Sequence, residues 1–594
     1  MCGIFGYVGK RNAGNMIVSG LKRLEYRGYD SWGVAVVTKD KSDGSKIDVM
    51  KKVGAIGDLG VIKDFPKSNI GVGHTRWATH GGVNYVNAHP HYASDKSFVL
   101  AQNGIVENYQ ELKQKLIKLG YTFKSETDTE IIVHLIEEKL KTTKKFKEAV
   151  RLTFLDLKGR NTIIALSTVD NRIVAVRNGS PLVVGVGDEE YFFASDTLSF
   201  LDKTNKAIFI NDGEMIEYKD GKIKLFNVET SEDINFKIKT LDEKQSDISK
   251  EGFDHFMIKE IVEQKHTIKE ASVYSEEELK PLVEQIKKSR TVYTTGAGTA
   301  YFAASQTAFY LRKISGISAV ELKAYEIESY RNLFTKDDLV IAFSQSGETA
   351  DTIEALEIAK SKGAKIASLV NMVGSTTSRM SDFSYYCRSG PEICVASTKA
   401  FTAKQAWGLL LAGSIIGKHS EMQKKIHKSA NKLEEYFTEE LFTKIKKLSK
   451  KLEKKEHFFV LGRGQNFNIA LEAALKVKEI TYKHFEGFAA GELKHGVIAL
   501  VDKGTPVFVI SSDDEDIENM LSAAAQVKAR GAWVIGVGQS DNELFDDFIP
   551  TIQSDGIDAL TNVIPFQLIS YFMALGLGND PDKPRNLAKS VTVK

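Results

Sequence analysis

Two stretches of the chain repeat one another in register, and a duplication of that length restricts the fold more than any single motif. A strand-like run enters a glycine-rich turn at Val292-Tyr293-Thr294-Thr295-Gly296-Ala297-Gly298 and again at Phe459-Val460-Leu461-Gly462-Arg463-Gly464, an offset of 166 residues. A second run ends in hydroxyl residues at Val340–Ser344 and at Val507–Ser511, offset by 167, and a third begins Gly363-Ala364-Lys365 and Gly531-Ala532-Trp533, offset by 168. Each copy alternates strand, turn and helix, so each is expected to form a doubly wound parallel sheet. Before residue 225 the pattern differs. Short β-branched or apolar runs such as Gly33–Val37, Thr162–Leu166, Ile173–Val176 and Tyr191–Ala194 lie between turn residues, which predicts antiparallel strands. Helical periodicity around Ile17–Leu24 and Glu130–Leu140 makes that part a layered α+β unit.

The connections are less patterned. Residues 229 to 251 are polar and aperiodic, which predicts a linker. Leu433, Phe437, Leu441, Ile445, Leu448 and Leu452 recur at three- and four-residue steps and predict one long amphipathic helix between the copies. The seven lysines between Lys444 and Lys455 then belong to its solvent face.

Across 594 residues, 80 Lys and Arg against 78 Asp and Glu leave a net charge of +2, too little to hold a nucleic acid or an anionic membrane. Cys2, Cys387 and Cys394 supply neither a disulfide framework nor a CxxC metal pair, which fits a reducing cytoplasm. The first residues lack the apolar run of a signal peptide. Ala559 to Asn579 carries no charge, but Asn562, Pro565, Gln567, Ser570 and Asn579 interrupt it, so a buried helix is expected rather than a membrane span.

Cys2 follows the initiator methionine. If Met1 is removed, the thiol shares its residue with an α-amine of pKa about 7.7 to 8.0, a nucleophile beside its own base. The alternative is a small residue at a loose end. The run Gly73-His74-Thr75-Arg76-Trp77-Ala78-Thr79-His80-Gly81 offers a guanidinium that can fork a carboxylate, beside hydroxyl and imidazole groups. Gln102-Asn103-Gly104 after a strand reads either as the amide and N–H of an oxyanion hole or as a plain hairpin turn. His74, His80, His89 and His91 match no zinc spacing, and no metal is expected.

These segments, with Cys2-Gly3-Ile4-Phe5-Gly6, Tyr26-Arg27-Gly28-Tyr29-Asp30-Ser31 and Asn103-Gly104-Ile105-Val106-Glu107-Asn108-Tyr109, resemble the class II N-terminal-nucleophile glutamine amidotransferases. The resemblance implies an αββα fold in which Cys2 attacks the glutamine amide while Asn103 and Gly104 hold the oxyanion. It further implies that Arg76, Thr79, His80 and Asp128 bind the glutamine backbone groups, with Trp77 at the ammonia gate. Asp128 reads equally well as a helix N-terminal residue. Trp32 stands where the resembled family has a small residue.

In the duplicated half, Ser344-Gln345-Ser346-Gly347-Glu348-Thr349 follows a strand and enters a helix, surrounding helix N–H groups with hydroxyls suited to phosphate. A helix cap is the alternative. There is no GxxxxGK[ST] nucleotide loop. Together with Val395-Ala396-Ser397-Thr398-Lys399-Ala400-Phe401, Lys476-Val477-Lys478-Glu479-Ile480, Gly491-Glu492-Leu493-Lys494-His495-Gly496 and the tail from Pro584 to Val593, this half resembles two sugar isomerase (SIS) domains. The order glutaminase, SIS, SIS resembles the glutamine:fructose-6-phosphate aminotransferase family. That likeness implies L-glutamine and D-fructose 6-phosphate as substrates and no cofactor. Lys589 would form an imine with the sugar ketone, His495 would help open the ring, and Glu479 would move a proton between C1 and C2 with Lys476 in support. Thr299, Ser344, Gln345, Ser346, Thr349, Val395 and Ser397 would hold the sugar and its phosphate. A homodimer is implied as well. Ala297 and Ala300 stand where the family has Cys and Ser, and the lost hydroxyl at 300 is expected to weaken phosphate binding by on the order of 1 kcal/mol.

The expected divisions are a glutaminase domain at 2–225, a linker and connecting helix at 226–281, and the first SIS domain at 282–422. A helical connection at 423–448, the second SIS domain at 449–584 and an active-site tail at 585–594 complete them.

Overall fold

The computed structural model describes residues 2–39, 44–57, 65–241 and 249–592. They fall into two compact units, Met1–Ser249 with Ser590–Lys594, and Lys250–Lys589.

The first unit is built on two antiparallel sheets. One has eight strands, in the order Lys239–Thr240, Lys206–Phe209, Val183–Val186, Tyr191–Ala194, Gly3–Val8, Ile70–Arg76, Ser31–Lys39 and Ser45–Val53. The other has seven, in the order Asp233–Ile234, Lys222–Asn227, Glu214–Lys219, Arg172–Asn178, Asn161–Ser167, Phe98–Gly104 and His91–Tyr92. Side chains alternate across a strand. Val99, Ala101, Ile164 and Leu166 therefore face Ile4, Ala35, Val72 and Phe193 of the eight-stranded sheet. Phe98, Leu100, Ile163 and Ala165 face helices Tyr109–Lys118, Thr129–Thr143 and Phe146–Asp156. Helix Ala13–Arg23 packs against strands Gly3–Val8 and Ile70–Arg76, where a β-carbon on Gly73 would meet Ile17. The result is the expected αββα layering.

The second unit holds two five-stranded parallel sheets of identical strand order. The first runs Ala319–Lys323, Val292–Gly296, Leu339–Phe343, Lys365–Val370, Phe383–Tyr386, and the second His484–Ala489, His457–Gly462, Pro506–Ser511, Trp533–Gly538, Asp547–Pro550. Helix Ala350–Ser361 covers one face of the first sheet and Ile517–Lys528 one face of the second. The opposite faces share one continuous core. It contains Ile341, Phe343, Trp407, Ala473, Val477, Phe508, Ile535 and Ile569.

Two expectations are corrected, and that of a buried apolar helix is met. The long helix between the copies is two helices, His419–Tyr436 and Glu439–Leu452. Phe437 leaves helical geometry at ψ 67°, and Thr438 caps the second helix by accepting from Leu441 N–H, so an unbroken apolar spacing concealed a capped start. Six of the seven lysines there are exposed and Lys455 is half-buried. The polar stretch expected to be linker contributes edge strands, Asp233–Ile234 and Lys239–Thr240, because edge pairing satisfies backbone groups without an apolar face. Residues 242–248 of it lie outside the described chain. The uncharged stretch near the C-terminal end divides into helices Ala559–Asn562 and Ile564–Gly576, and its 18-residue apolar window is 83% buried. Its polar residues have internal partners: Asn562 Nδ2 donates to Asn466 and Ser512, and Gln567 accepts from Gln264.

Candidate active sites

Strand Gly3–Val8 runs between Ile70–Arg76 and Tyr191–Ala194, with Gly3 opposite Thr75. That register brings Cys2 to the end of the histidine-arginine strand. Trp77 N–H points at Cys2 Sγ over 3.4 Å, and Trp77 O lies 3.6 Å from the same sulfur. Burial pushes the thiol pKa up, against the pull of Trp77 N–H and Arg76 toward thiolate. Met1 lies outside the described residues.

Asn103 and Gly104 do not form a turn. They close strand Phe98–Gly104, opposite Thr162 and Asn161. Gly104 has φ 124°, and a β-carbon there would lie 2.0 Å from Arg160 O, so close backbone approach rather than chain reversal requires the glycine. The Asn103 amide is held at both ends. Its Nδ2 donates to Ser195 Oγ at 2.9 Å, and His74 Nε2 lies 3.2 Å from its Oδ1 and 2.9 Å from Gln102 O. Ser195 Oγ also accepts from Ile4 N–H at 2.8 Å, tying the thiol-bearing strand to the asparagine. Burial takes His74 down to about 3, so it is a neutral donor.

Asp128 occupies the position before helix Thr129–Thr143, but its side chain makes no cap there. Its Oδ2 accepts from Val106 N–H at 2.7 Å, just beyond the Asn103-Gly104 pair. The Arg76 guanidinium spans the following loop, donating to Gly81 O and Gly82 O at 3.1 Å each and to His80 O. Thr79 and Trp77 flank Ala78, whose N–H donates to Asp30 Oδ2 at 2.8 Å, and the His80 ring meets Tyr109 edge-on at 5.2 Å. Arg76 and Asp128 both act electrostatically on Cys2, and His80 on Asp128. Trp32 is fully buried on strand Ser31–Lys39.

In the second unit, strand Leu339–Phe343 delivers Ser344 to the start of helix Ala350–Ser361. Ser344 Oγ accepts from Gly347 N–H at 2.9 Å and Ser346 Oγ from Glu348 N–H at 3.1 Å. Gly347 sits at φ 63°, with Ser375 Oγ 2.1 Å from where a β-carbon would be. The capping alternative is not realised. Thr349, at the cap position, makes no side-chain cap, and Glu348 turns away to accept from Thr376 N and Oγ1 at 2.8 Å each. Three hydroxyls, of Ser344, Ser346 and Thr349, thus cluster on the turn that leads into the helix, with Ser344 Oγ 3.4 Å from Thr349 Oγ1. Gln345 is part of the same turn, and its carbonyl accepts from Asn371 N–H.

Lys589 is not a solvated charge. Its side chain is 3% exposed, with Nζ 2.5 Å from Glu392 Oε2 and 2.7 Å from Cys394 O. Glu392 also accepts from Ser397 Oγ at 2.9 Å, Thr398 N at 2.9 Å and Ala400 N at 3.0 Å. The tail is clipped in place. Asp582 O accepts from Val395 N–H, Pro581 O from the Cys394 thiol, and the Asp582 carboxylate from Phe256 and Met257 N–H at the head of helix Phe256–Glu270.

Helix Phe467–Thr481 of the second copy presents Glu472, Lys476 and Glu479 at four- and three-residue steps, one face of a helix. Lys476 Nζ lies 2.5 Å from Glu479 Oε2, 3.5 Å from Glu472 Oε1 and 3.0 Å from Thr299 Oγ1. Thr299 Oγ1 in turn donates to Glu472 at 3.1 Å, so the two copies meet at the head of helix Thr299–Ser315. Burial, with Glu479 adding to it against Lys476, lifts the Glu472 carboxyl to about 8. The charge of Glu392 also reaches Lys476, linking the two clusters. Ala300, the departure from the resembled pattern, packs half-buried against the shared core. His495 is exposed on the short helix Glu492–His495, and no hydrogen bond joins it to Lys589, Lys476 or Glu479 among the described residues.

The second copy has no counterpart of that cluster. The residues in register with the hydroxyl turn are Ser511-Ser512-Asp513-Asp514-Glu515-Asp516, whose carboxylates repel phosphate, and Asn466, Ser512 and Asn562 hydrogen-bond one another beside it.

Sequence reading did not identify Glu392, Glu472, Ser195 or Asp582. An isolated acidic or hydroxyl residue has no local signal of its own. Only Glu472 could have been found, as the residue one helical turn before Lys476.

Comparison with known proteins places these features. A glutamine amidotransferase domain model matches residues 81–202, and an SIS domain model matches 285–413 and 451–576. A Pyrococcus horikoshii protein named glutamine--fructose-6-phosphate aminotransferase [isomerizing] is 41% identical over 610 residues, covering 100% of both chains. An Aquifex aeolicus protein of the same name is 41% identical over 608 residues, again with 100% coverage of both. Among solved structures, the C-terminal domain of glucosamine-fructose-6-phosphate aminotransferase from Francisella tularensis matches with TM-score 0.51 and 31% identity, over 56% of this chain and 99% of that one.

Proposed function

The chain belongs to the glutamine--fructose-6-phosphate aminotransferase [isomerizing] family, and from that premise we propose how its residues divide the conversion of fructose 6-phosphate and glutamine to glucosamine 6-phosphate and glutamate. Cys2 attacks the glutamine side-chain amide and releases ammonia. The amide N–H of Asn103 and the backbone N–H of Gly104 receive the oxyanion, with His74 and Ser195 fixing the asparagine. Arg76, Thr79, His80 and Asp128 bind the glutamine α-groups, and Trp77 stands beside the reacting sulfur.

The sugar phosphate is held by Ser344, Gln345, Ser346, Thr349 and Ser397, with Thr299 and Val395 alongside. Lys589 condenses with the C2 ketone with loss of water, and ammonia then displaces the lysine from C2, leaving its own nitrogen there and Lys589 free. Glu479 carries the proton between C2 and C1, and its contact with Lys476 sets a cation beside the developing negative charge. His495 opens the sugar ring. Its exposure supports delivery from a second copy of the chain, and hence a homodimer. The three free cysteines support a cytoplasmic setting.

The observation that carries the reading is the burial of Lys589 beside the Ser397 turn. A lysine enclosed against one carboxylate is placed for covalent work rather than for solubility. The test measures glutamate and glucosamine 6-phosphate formed from glutamine with and without fructose 6-phosphate. Equal yields of both products with the sugar present are expected. Glutamate without amino sugar would refute the assignment of the acceptor.

A further inference from the structure

Among the described residues the Lys589 ammonium has one carboxylate contact, and that carboxylate is committed to its place. Glu392 is fully buried, and besides Lys589 it receives the Ser397 hydroxyl and two backbone N–H groups from the head of helix Lys399–Ile415. We propose that Glu392 is the fixed counter-ion of the Lys589 nitrogen, pairing first with the ammonium and then with the protonated imine that replaces it. The inference rests on the reading of Lys589 as the imine-forming lysine.

The chemistry balances without a proton leaving the pair. The ammonium and the C2 ketone give a protonated imine and water: a C–N bond forms, the C2–O bond breaks, and two nitrogen-bound hydrogens depart with the oxygen. The nitrogen is cationic before and after, so an anion that never changes protonation serves both states. Four donors on one carboxylate make it a poor base and a good anion. Burial opposes its charge, but Lys589, Lys404 and the backbone N–H of Ala400 hold it near 2.

Other charges face the pair from each neighbouring element. Glu260 of helix Phe256–Glu270 accepts from Ile393 and Cys394 N–H, and burial together with Glu392 pushes its carboxyl up toward the neutral form, against the pull of Lys589 and Lys399. Lys399 is neutralised by Glu263 at 2.6 Å. Lys404 and Lys476 add positive charge on the Glu392 side. The Cys394 thiol is pushed well up by burial and stays uncharged. Glu392 is thus a positioning residue that holds a fixed anion against the nitrogen.

The experiment is reductive trapping. The full-length enzyme is incubated with fructose 6-phosphate and sodium cyanoborohydride across a range of pH, and the adduct on the Lys589 peptide is quantified by mass spectrometry. In Glu392→Gln the pH of half-maximal trapping is expected to fall by about one unit or more, the effect of removing one buried charge-assisted hydrogen bond. Glu392→Asp keeps the anion but withdraws it by a methylene. It is expected to trap more slowly while holding its midpoint within about half a unit of wild type. A Glu392→Gln profile superimposable on wild type overturns the proposal. Should that variant not fold, wild-type trapping speed in Glu392→Asp overturns it instead. No adduct on Lys589 in the wild-type enzyme would overturn the imine reading itself, and this inference with it.

Discussion

Gly347 shows how little freedom the hydroxyl turn has at the level of one residue. With φ at 63° and Ser375 Oγ 2.1 Å from the site of a β-carbon, any side chain there must displace the turn that aims Ser344 and Ser346. Gly347→Ala is expected to raise KM for fructose 6-phosphate by about tenfold, the equivalent of about 1.4 kcal/mol of strain, in steady-state assays at saturating glutamine. The same scale shows what a sequence discloses. Cys2, Arg76, Asn103 and Lys589 lie in runs dense enough to carry a resemblance, so their neighbourhoods were legible. Glu392 was not: it lies in the aperiodic run Gly390-Pro391-Glu392-Ile393 and meets Lys589 only 197 residues later.

Among elements, helix Thr129–Thr143 offers a pH dependence. Burial works against a charge on His134, but Glu130 at 3.7 Å and Glu137 at 2.7 Å outweigh it and lift the imidazole to about 9, from an ordinary 6.5. A group raised on folding contributes stability that is complete below pH 6.5 and is lost as pH climbs through about 9. The melting temperature of the glutaminase unit should fall across that window, by the equivalent of on the order of 1 kcal/mol after solvent screening. His134→Gln should flatten the fall, and an unchanged slope in the variant would assign it to other groups. Strands and helices of this kind were legible because alternation and helical spacing are local properties. The break at Thr438 was not, since Leu433, Phe437 and Leu441 keep a four-residue spacing across it. The strand assignment of Asn103-Gly104 depends on its partner Asn161-Thr162, which no local spacing records.

For the whole molecule, duplication supplied two sheets of one strand order, and divergence left different turns after their corresponding strands. The first copy keeps hydroxyls in its turn, the second has carboxylates in the equivalent place, and the second copy instead lends Lys476 and Glu472 to Thr299 of the first, with Glu479 paired to Lys476. Calorimetric titration with fructose 6-phosphate is expected to saturate at one sugar per chain. A second equivalent would show that the acidic turn does not exclude phosphate. The repeat itself was legible from its register, but this division of labour was not, because two turns in the same place differ only in what their side chains meet. The clip that seats the tail has a consequence in time. The carboxylate that receives Phe256 N–H belongs to Asp582, 326 residues further along, which at about 5 to 20 residues per second reaches the ribosome on the order of tens of seconds later. Through that interval the head of helix Phe256–Glu270 is left to water, and the hydroxyl turn has been synthesised while Lys589 has not. During its own synthesis, each molecule completes the hydroxyl turn of its first copy before the lysine near its end is added.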